Sequence, residues 1–297
     1  MTDQNDSLFR FLLPDAGVRG VHVRLHDTWK QILSHADYPA RAAGMLGDAT
    51  VAAALFTGHT KVDGRLSIQL RSSSSLRTLF AECTAAGTLR GIAKLEEGQD
   101  APASLDGLGD DAVLAITIEN PGLDPREPQR YQSLVALSAP NLDEAFEDYF
   151  RQSEQLPTRL LLATDGERAG GLLIQKLPGE EGDLDSWTRI SALFETLGKA
   201  ELLATSAEDL VYRLFHEEQP EHMGDKPLRF ECTCSRERVA GMLQSLGEDE
   251  ARAAAEPTGA VEVRCEFCGR EYHFPLTEFG ILFHGGGTSI PAPERLQ

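Results

Sequence analysis

The sequence predicts an α+β protein with a mostly antiparallel N-terminal sheet domain covered by helices, a helical linker, and a small C-terminal metal-binding domain built on four cysteines. Three observations predict it. Several runs alternate apolar and polar residues with the two-residue period of a strand, amphipathic helices interrupt them, and four of the five cysteines fall between Cys232 and Cys268. The 297 residues suffice for two domains at ~100–200 residues each.

Taken in chain order, a helix is expected from near Asp27, carrying Trp29, Ile32 and Leu33, and a second over about 42–57. Residues 65–70 alternate strictly, with Leu66, Ile68 and Leu70 on one face of a strand. Runs at 76–84 and 88–95 flank Ala85-Ala86-Gly87 and read as a hairpin. Further strands are expected at 112–119, 132–138, 158–164 and 169–177, the last two joined by a turn containing Asp165-Gly166. Asn141 caps a helix whose apolar stripe is Leu142, Ala145, Phe146, Tyr149 and Phe150.

The Pro/Gly/acidic stretch 178–183 marks a boundary, so the expected parts are 1–178, a linker at 179–227, a cysteine domain at 228–284 and a flexible tail at 285–297. In the linker, Ser186 is expected to cap a helix with Trp187, Ile190, Phe194 and Leu197, stopped by Gly198. Ser206 with Asp209 opens another carrying Leu210, Leu214 and Phe215. Their apolar faces must dock on something. They either complete the first domain's core or form a detachable linker.

Charge and missing motifs exclude several functions. The 28 Lys and Arg against 47 Asp and Glu give −19, a field that repels a phosphate backbone, so no nucleic-acid partner is expected. No apolar run approaches a membrane span, and the N-terminus lacks a signal-peptide pattern, which predicts a cytoplasmic chain. G-x-x-x-x-G-K-[ST], H-E-x-x-H and G-x-S-x-G are all absent, so neither a nucleotide nor catalytic residues are expected and the chain is read as a non-enzyme. Cys83, in an apolar strand, reads as a buried small hydrophobe.

The remaining cysteines carry the chemistry. Cys232-Thr233-Cys234 and Cys265-Glu266-Phe267-Cys268 stand thirty residues apart, with room for a helix over 235–246 ended by Gly247, an acidic Ala-rich stretch, and a hairpin over 260–274 bearing the second pair. Four thiolates brought together select zinc, with an iron–sulfur cluster as the other reading. Arg236, Arg238, Arg264 and Arg270 either offset the −2 of such a site or serve as surface charges. His273 is read as hairpin packing. On spacing alone the leading reading is a zinc site that only holds a fold; a second is a zinc-stabilised adaptor that binds a partner through the linker helices. A thiol oxidoreductase using Cys265 and Cys268 lacks a thioredoxin-like βαβ context.

These cysteines follow a domain containing Arg10-Phe11-Leu12, Asp15-Ala16-Gly17-Val18-Arg19-Gly20 and Asp63-Gly64-Arg65-Leu66-Ser67. Together they resemble the heat-shock protein thirty-three family, the redox-regulated bacterial holdase chaperones, over essentially the whole chain. The resemblance implies an ATP-independent chaperone, inactive while reduced with one Zn2+ bound, and activated when oxidation releases the metal and unfolds the linker. It further implies homodimers that hold unfolding proteins. Carried over by position, the zinc ligands are Cys232, Cys234, Cys265 and Cys268, and the oxidised pairs are Cys232–Cys234 and Cys265–Cys268. The client surface expected on this basis comprises Trp187, Ile190, Phe194, Leu197, Leu210, Leu214 and Phe215.

Overall fold

The computed structural model describes residues 6–122, 127–179, 185–255 and 259–284. Contacts divide the chain into two compact units, Met1–Glu231 and Cys232–Gln297. The first unit contains β1 (Ser7–Leu13), β2 (Val18–Leu25), α1 (Asp27–Leu33), α2 (Ala40–His59), β3 (Arg65–Arg71), β4 (Leu76–Thr84), β5 (Thr88–Leu95), β6 (Val113–Asn120) and β7 (Gln129–Val135). It continues through α3 (Leu142–Tyr149), a π-helical turn at Phe150–Glu154, β8 (Thr158–Thr164), β9 (Ala169–Lys176), α4 (Ser186–Glu195), α5 (Lys199–Ala204), α6 (Ala207–Phe215), β10 (Glu221–Pro227) and β11 (Arg229–Phe230).

Two sheets result, ordered β10-β1-β2-β9-β8 and β11-β5-β4-β3-β6-β7. Among the described residues, every pairing in them is antiparallel except β11 with β5. Helix α2 packs against strands of both sheets and is buried along most of its length. Its Ala- and Gly-rich sequence permits that approach. A Cβ on Gly171 of β9 would come within 2.6 Å of Val51 and 2.8 Å of Leu55. The core around α2 includes Trp29, Leu46, Leu55, Phe56, Ile68, Leu79 and Phe146.

The first sheet's other face is covered by the segment expected as a linker. Ile190, Phe194, Leu197, Leu210, Leu214 and Phe215 form one buried cluster with Phe9, Phe11, Val18, Leu172 and Ile174, and Trp187 packs against it half-buried. Strand β10 then adds to the edge of β1. The break expected at 178–183 falls largely on residues 180–184, outside the described residues, as does the 285–297 tail.

Local differences from the sequence reading have physical causes. Strands β1, β2 and β10 are not among the expected elements, because β2 is buried on both faces and β10 is an exposed edge, so neither alternates cleanly. Strand β7 lies three residues before its expected position, held in register by Leu114 opposite Val135 and Asn120 opposite Gln129. Ser186 does not cap α4. It sits inside the helix and donates to the Ala16 carbonyl at 3.3 Å. Asn141 and Ser206 do cap α3 and α6, accepting from the Glu144 and Asp209 amides. Among the described residues no helix is long and apolar enough to cross a membrane.

The second unit holds α7 (Arg236–Leu246), α8 (Glu248–Ala255), a hairpin of β12 (Ala260–Arg264) and β13 (Glu271–Pro275), and α9 (Phe279–His284). Its small core gathers Leu243, Ala251, Ala255, Val261, Tyr272, Phe274 and Phe279.

Candidate metal centre

Two local devices present the cysteines. Cys232 and Cys234 lie in the extended stretch before α7, whose start is fixed where the Ser235 side chain accepts from the Arg238 amide. Cys265 and Cys268 occupy the β12–β13 turn. There the Cys265 amide donates to the Arg270 carbonyl and the Gly269 amide to the Cys265 carbonyl, both at 2.8 Å. Gly269 has φ +67°, a left-handed conformation that favours glycine, and a Cβ there would press on the Arg264 guanidinium at 3.4 Å.

The four sulfurs lie within 4.8 Å of one another, with Cys232–Cys265 at 3.6 Å and Cys234–Cys268 at 3.3 Å. A tetrahedral ion with metal–sulfur bonds of about 2.3 Å sets its ligands about 3.8 Å apart, so this spacing fits one ion. A polynuclear cluster would hold its thiolates farther apart. The donors are all soft sulfur, which disfavours magnesium and calcium.

The thiols are not equivalent. Burial pushes the Cys234 thiol up, but hydrogen bonds from Tyr272, Cys268 and Cys232 outweigh it and bring it down to about 7. The Tyr272 hydroxyl donates to its sulfur at 3.0 Å. Burial raises the Cys232 and Cys268 thiols, and shared protons with neighbouring sulfurs add to the effect. The hydrogen bonds to its sulfur thus favour the thiolate form of Cys234.

Of the four arginines, Arg270 lies beside Tyr272 and the Cys234 and Cys268 thiols. Arg236 instead stacks over Phe274 at 4.3 Å and pairs with Glu278 at 2.6 Å, while Arg238 donates to the Thr233 carbonyl at 3.2 Å. His273 lies on the outer face of the hairpin. It is 55% exposed and faces its cross-strand partner Glu262 at 3.4 Å. The sequence pattern does not single out Tyr272, although its alternation with Phe274 marks the inward face of β13. Cys83 is buried in β4, where burial pushes its thiol up to about 12.

A profile of the Hsp33 protein family matches residues 6–275, and so spans both units. The chain belongs to the Hsp33 family. The 33 kDa chaperonin of Ectopseudomonas mendocina is 41% identical over 98% of this chain and 99% of its own length. That of Pseudomonas syringae pv. tomato is 40% identical over 96% of each. The crystal structure of Hsp33 from Thermotoga maritima superposes with a TM-score of 0.76, covering 94% of this chain and 97% of that one at 21% identity, which shows a common fold. These relatives carry the names of chaperonins, not enzymes, as the absence of catalytic motifs predicts. The chain is therefore a chaperone of the Hsp33 family with a four-cysteine site able to hold a metal ion.

Proposed function

We propose that the chain is a redox-regulated, ATP-independent holdase of the cytoplasm, which responds to oxidative stress through its four clustered cysteines. The observation that carries the reading is a closed shell of four sulfurs in a small unit of its own, with no position left open for a substrate. In the reduced state Cys232, Cys234, Cys265 and Cys268 hold one zinc ion. Bound zinc would tie the stretch before α7 to the β12–β13 turn.

Oxidation by a peroxide removes two electrons from each cysteine pair. One peroxide is reduced to two waters for each disulfide formed; the zinc-bound sulfurs are thiolates, so the two protons needed come from the solvent, and the zinc leaves as the free dication. Pairing by analogy with the family gives Cys232–Cys234 and Cys265–Cys268. Structural zinc contributes ~10–16 kcal/mol of apparent binding free energy in small modules. A disulfide closing so short a loop returns roughly 2 kcal/mol. The difference is comparable to a whole domain's ~5–15 kcal/mol stability, so the second unit unfolds.

Residues 179–227 then act as the switchable linker. Their release bares Trp187, Ile190, Phe194, Leu197, Leu210, Leu214 and Phe215, on which unfolding proteins are held, and oxidised chains pair as homodimers. The coherent apolar cluster those residues make with the first sheet supports this assignment. The test is suppression of aggregation of an unrelated heat-unfolded protein, with and without peroxide pretreatment. Suppression only after peroxide is expected. Equal suppression in both states would leave a metal-stabilised adaptor.

A further inference from the structure

The first unit holds a cavity of its own. It measures about 110 Å³ and opens at the C-terminal end of α2, between residues of both sheets. Phe56, Leu66, Ile116, Ile118 and Phe150 supply apolar wall, and Arg19 of β2 supplies a cation. We infer that this cavity binds a small carboxylate with a branched apolar body, its head on Arg19 and its carbons among those five side chains.

The polar lining is built. One Arg19 terminal nitrogen donates to Gln175 Oε1 at 2.8 Å and contacts His59 Nε2 at 2.9 Å. Gln175 in turn donates to Thr158 Oγ1 at 2.9 Å, so the guanidinium is held in place by a buried network. Yet among the described residues no carboxylate pairs with it, and Arg19 Nε and His59 Nδ1 have no hydrogen-bond partner. Burial lowers the Arg19 pKa, and burial followed by the Arg19 charge holds His59 down at about 3. His59 is thus neutral, and among the described lining residues the guanidinium is the one cation. Arg19 is half-buried and has no counter-charge among the described residues, so an anionic head group would add charge-assisted hydrogen bonds that nothing else there supplies.

Glu154 also lines the cavity, but it is solvent-exposed and accepts from the Tyr149 hydroxyl at 3.3 Å, so its repulsion is screened. It ends a π-helical turn, Phe150–Glu154, followed by Gln155 at φ +56°, a left-handed conformation uncommon outside glycine. Both features concentrate at functional sites. Size sets the ligand. A cavity of ~150 Å³ holds the six carbons of benzene, so this one takes about four or five non-hydrogen atoms, the apolar body of such a ligand, with the head group on the half-exposed Arg19. That chemistry is met by a free branched short-chain acid or by an apolar amino acid.

The test uses the full reduced chain, titrated calorimetrically at pH 7 with isovalerate, L-leucine, isovaleramide and isoamylamine. Isovalerate or leucine should bind, and isovaleramide and isoamylamine about tenfold or more weaker, because only a carboxylate makes charge-assisted bonds to Arg19. The tighter of the first two names the source. Arg19→Gln should weaken carboxylate binding by a similar factor. Should that variant fail to fold, Ile118→Phe, which fills the cavity and leaves Arg19 in place, should abolish binding with circular dichroism unchanged. No heat from either carboxylate, equal affinity for isovaleramide, or undiminished binding to a folded Ile118→Phe chain would overturn the assignment.

Discussion

Cys232, Cys234, Cys265 and Cys268 are each one quarter of a shell, so replacing any one by Ser should lower zinc affinity by more than about a hundredfold, beyond the 10–100-fold typical of outer partners. Cys83→Ser should leave zinc content unchanged, which a metal assay on purified reduced protein checks. Which cysteines pair on oxidation decides whether the second unit opens. Sulfurs of different pairs are in contact, Cys232 with Cys265 and Cys234 with Cys268. Those cross pairs would close a loop of over thirty residues, worth about 4 kcal/mol each, and keep the unit tied together. The adjacent pairs would free it. Peptide mapping without reductant should find Cys232–Cys234 and Cys265–Cys268; cross-linked peptides would remove the reason for unfolding. His22 carries a separate prediction. It is wholly buried in β2 with neither ring nitrogen hydrogen-bonded among the described residues, and burial, then Arg24, lowers its pKa to about 4. Its contribution to stability is complete above the unfolded value near 6.5 and is lost as pH falls from there toward 4. At pH 5 the loss should be about 2 kcal/mol. His59 acts in the same sense, while Asp48, pushed up to about 6 by burial, acts in the opposite one. The measurement is therefore a difference: urea unfolding at pH 7.5 and pH 5 should show a smaller acid loss for His22→Leu than for the parent.

Helices α4 and α6 link the two roles open to residues 186–215, core cover and detachable linker. In this structure they roof the first sheet, and Ile190, Leu210 and Phe215 are inaccessible to solvent. Peroxide should raise hydrogen exchange in Trp187–Leu197 and Leu210–Phe215 well above that of β3 and β4. Equal protection before and after would end the linker-unfolding idea. Legibility in the sequence followed periodicity and capping. Asn141, Ser206 and Ser235 announce helices through a single side chain that also satisfies the first turn. The strict alternation of β3 reads directly because one face meets the core. Ser186 misleads because its hydroxyl goes to a distant carbonyl, and α8 carries three acidic residues in its first turn with only Ala251 and Ala255 buried, too weak a stripe to read. The four cysteines were legible by spacing, whereas Tyr272 depends on a tertiary contact.

At the scale of the whole chain, the −19 charge would keep the proposed opened, apolar surface in solution, and the G-x-x-x-x-G-K-[ST] pattern of a phosphate-binding loop does not occur in the sequence. Adding ATP to an oxidised chain–client complex should change nothing, whereas dithiol with zinc should weaken client binding, since refolding covers the surface the client occupies. Co-sedimentation of the complex measures both, and discharge by ATP alone would reveal a nucleotide site. The pairing of β1 with β10, Ser7 opposite Pro227, has a consequence during synthesis. At ~5–20 residues per second, the first strand leaves the ribosome on the order of ten to forty seconds before its edge partner. Throughout that interval the nascent sheet presents an open ladder to its surroundings, so the chain spends its own birth as the kind of aggregation-prone species a chaperone protects.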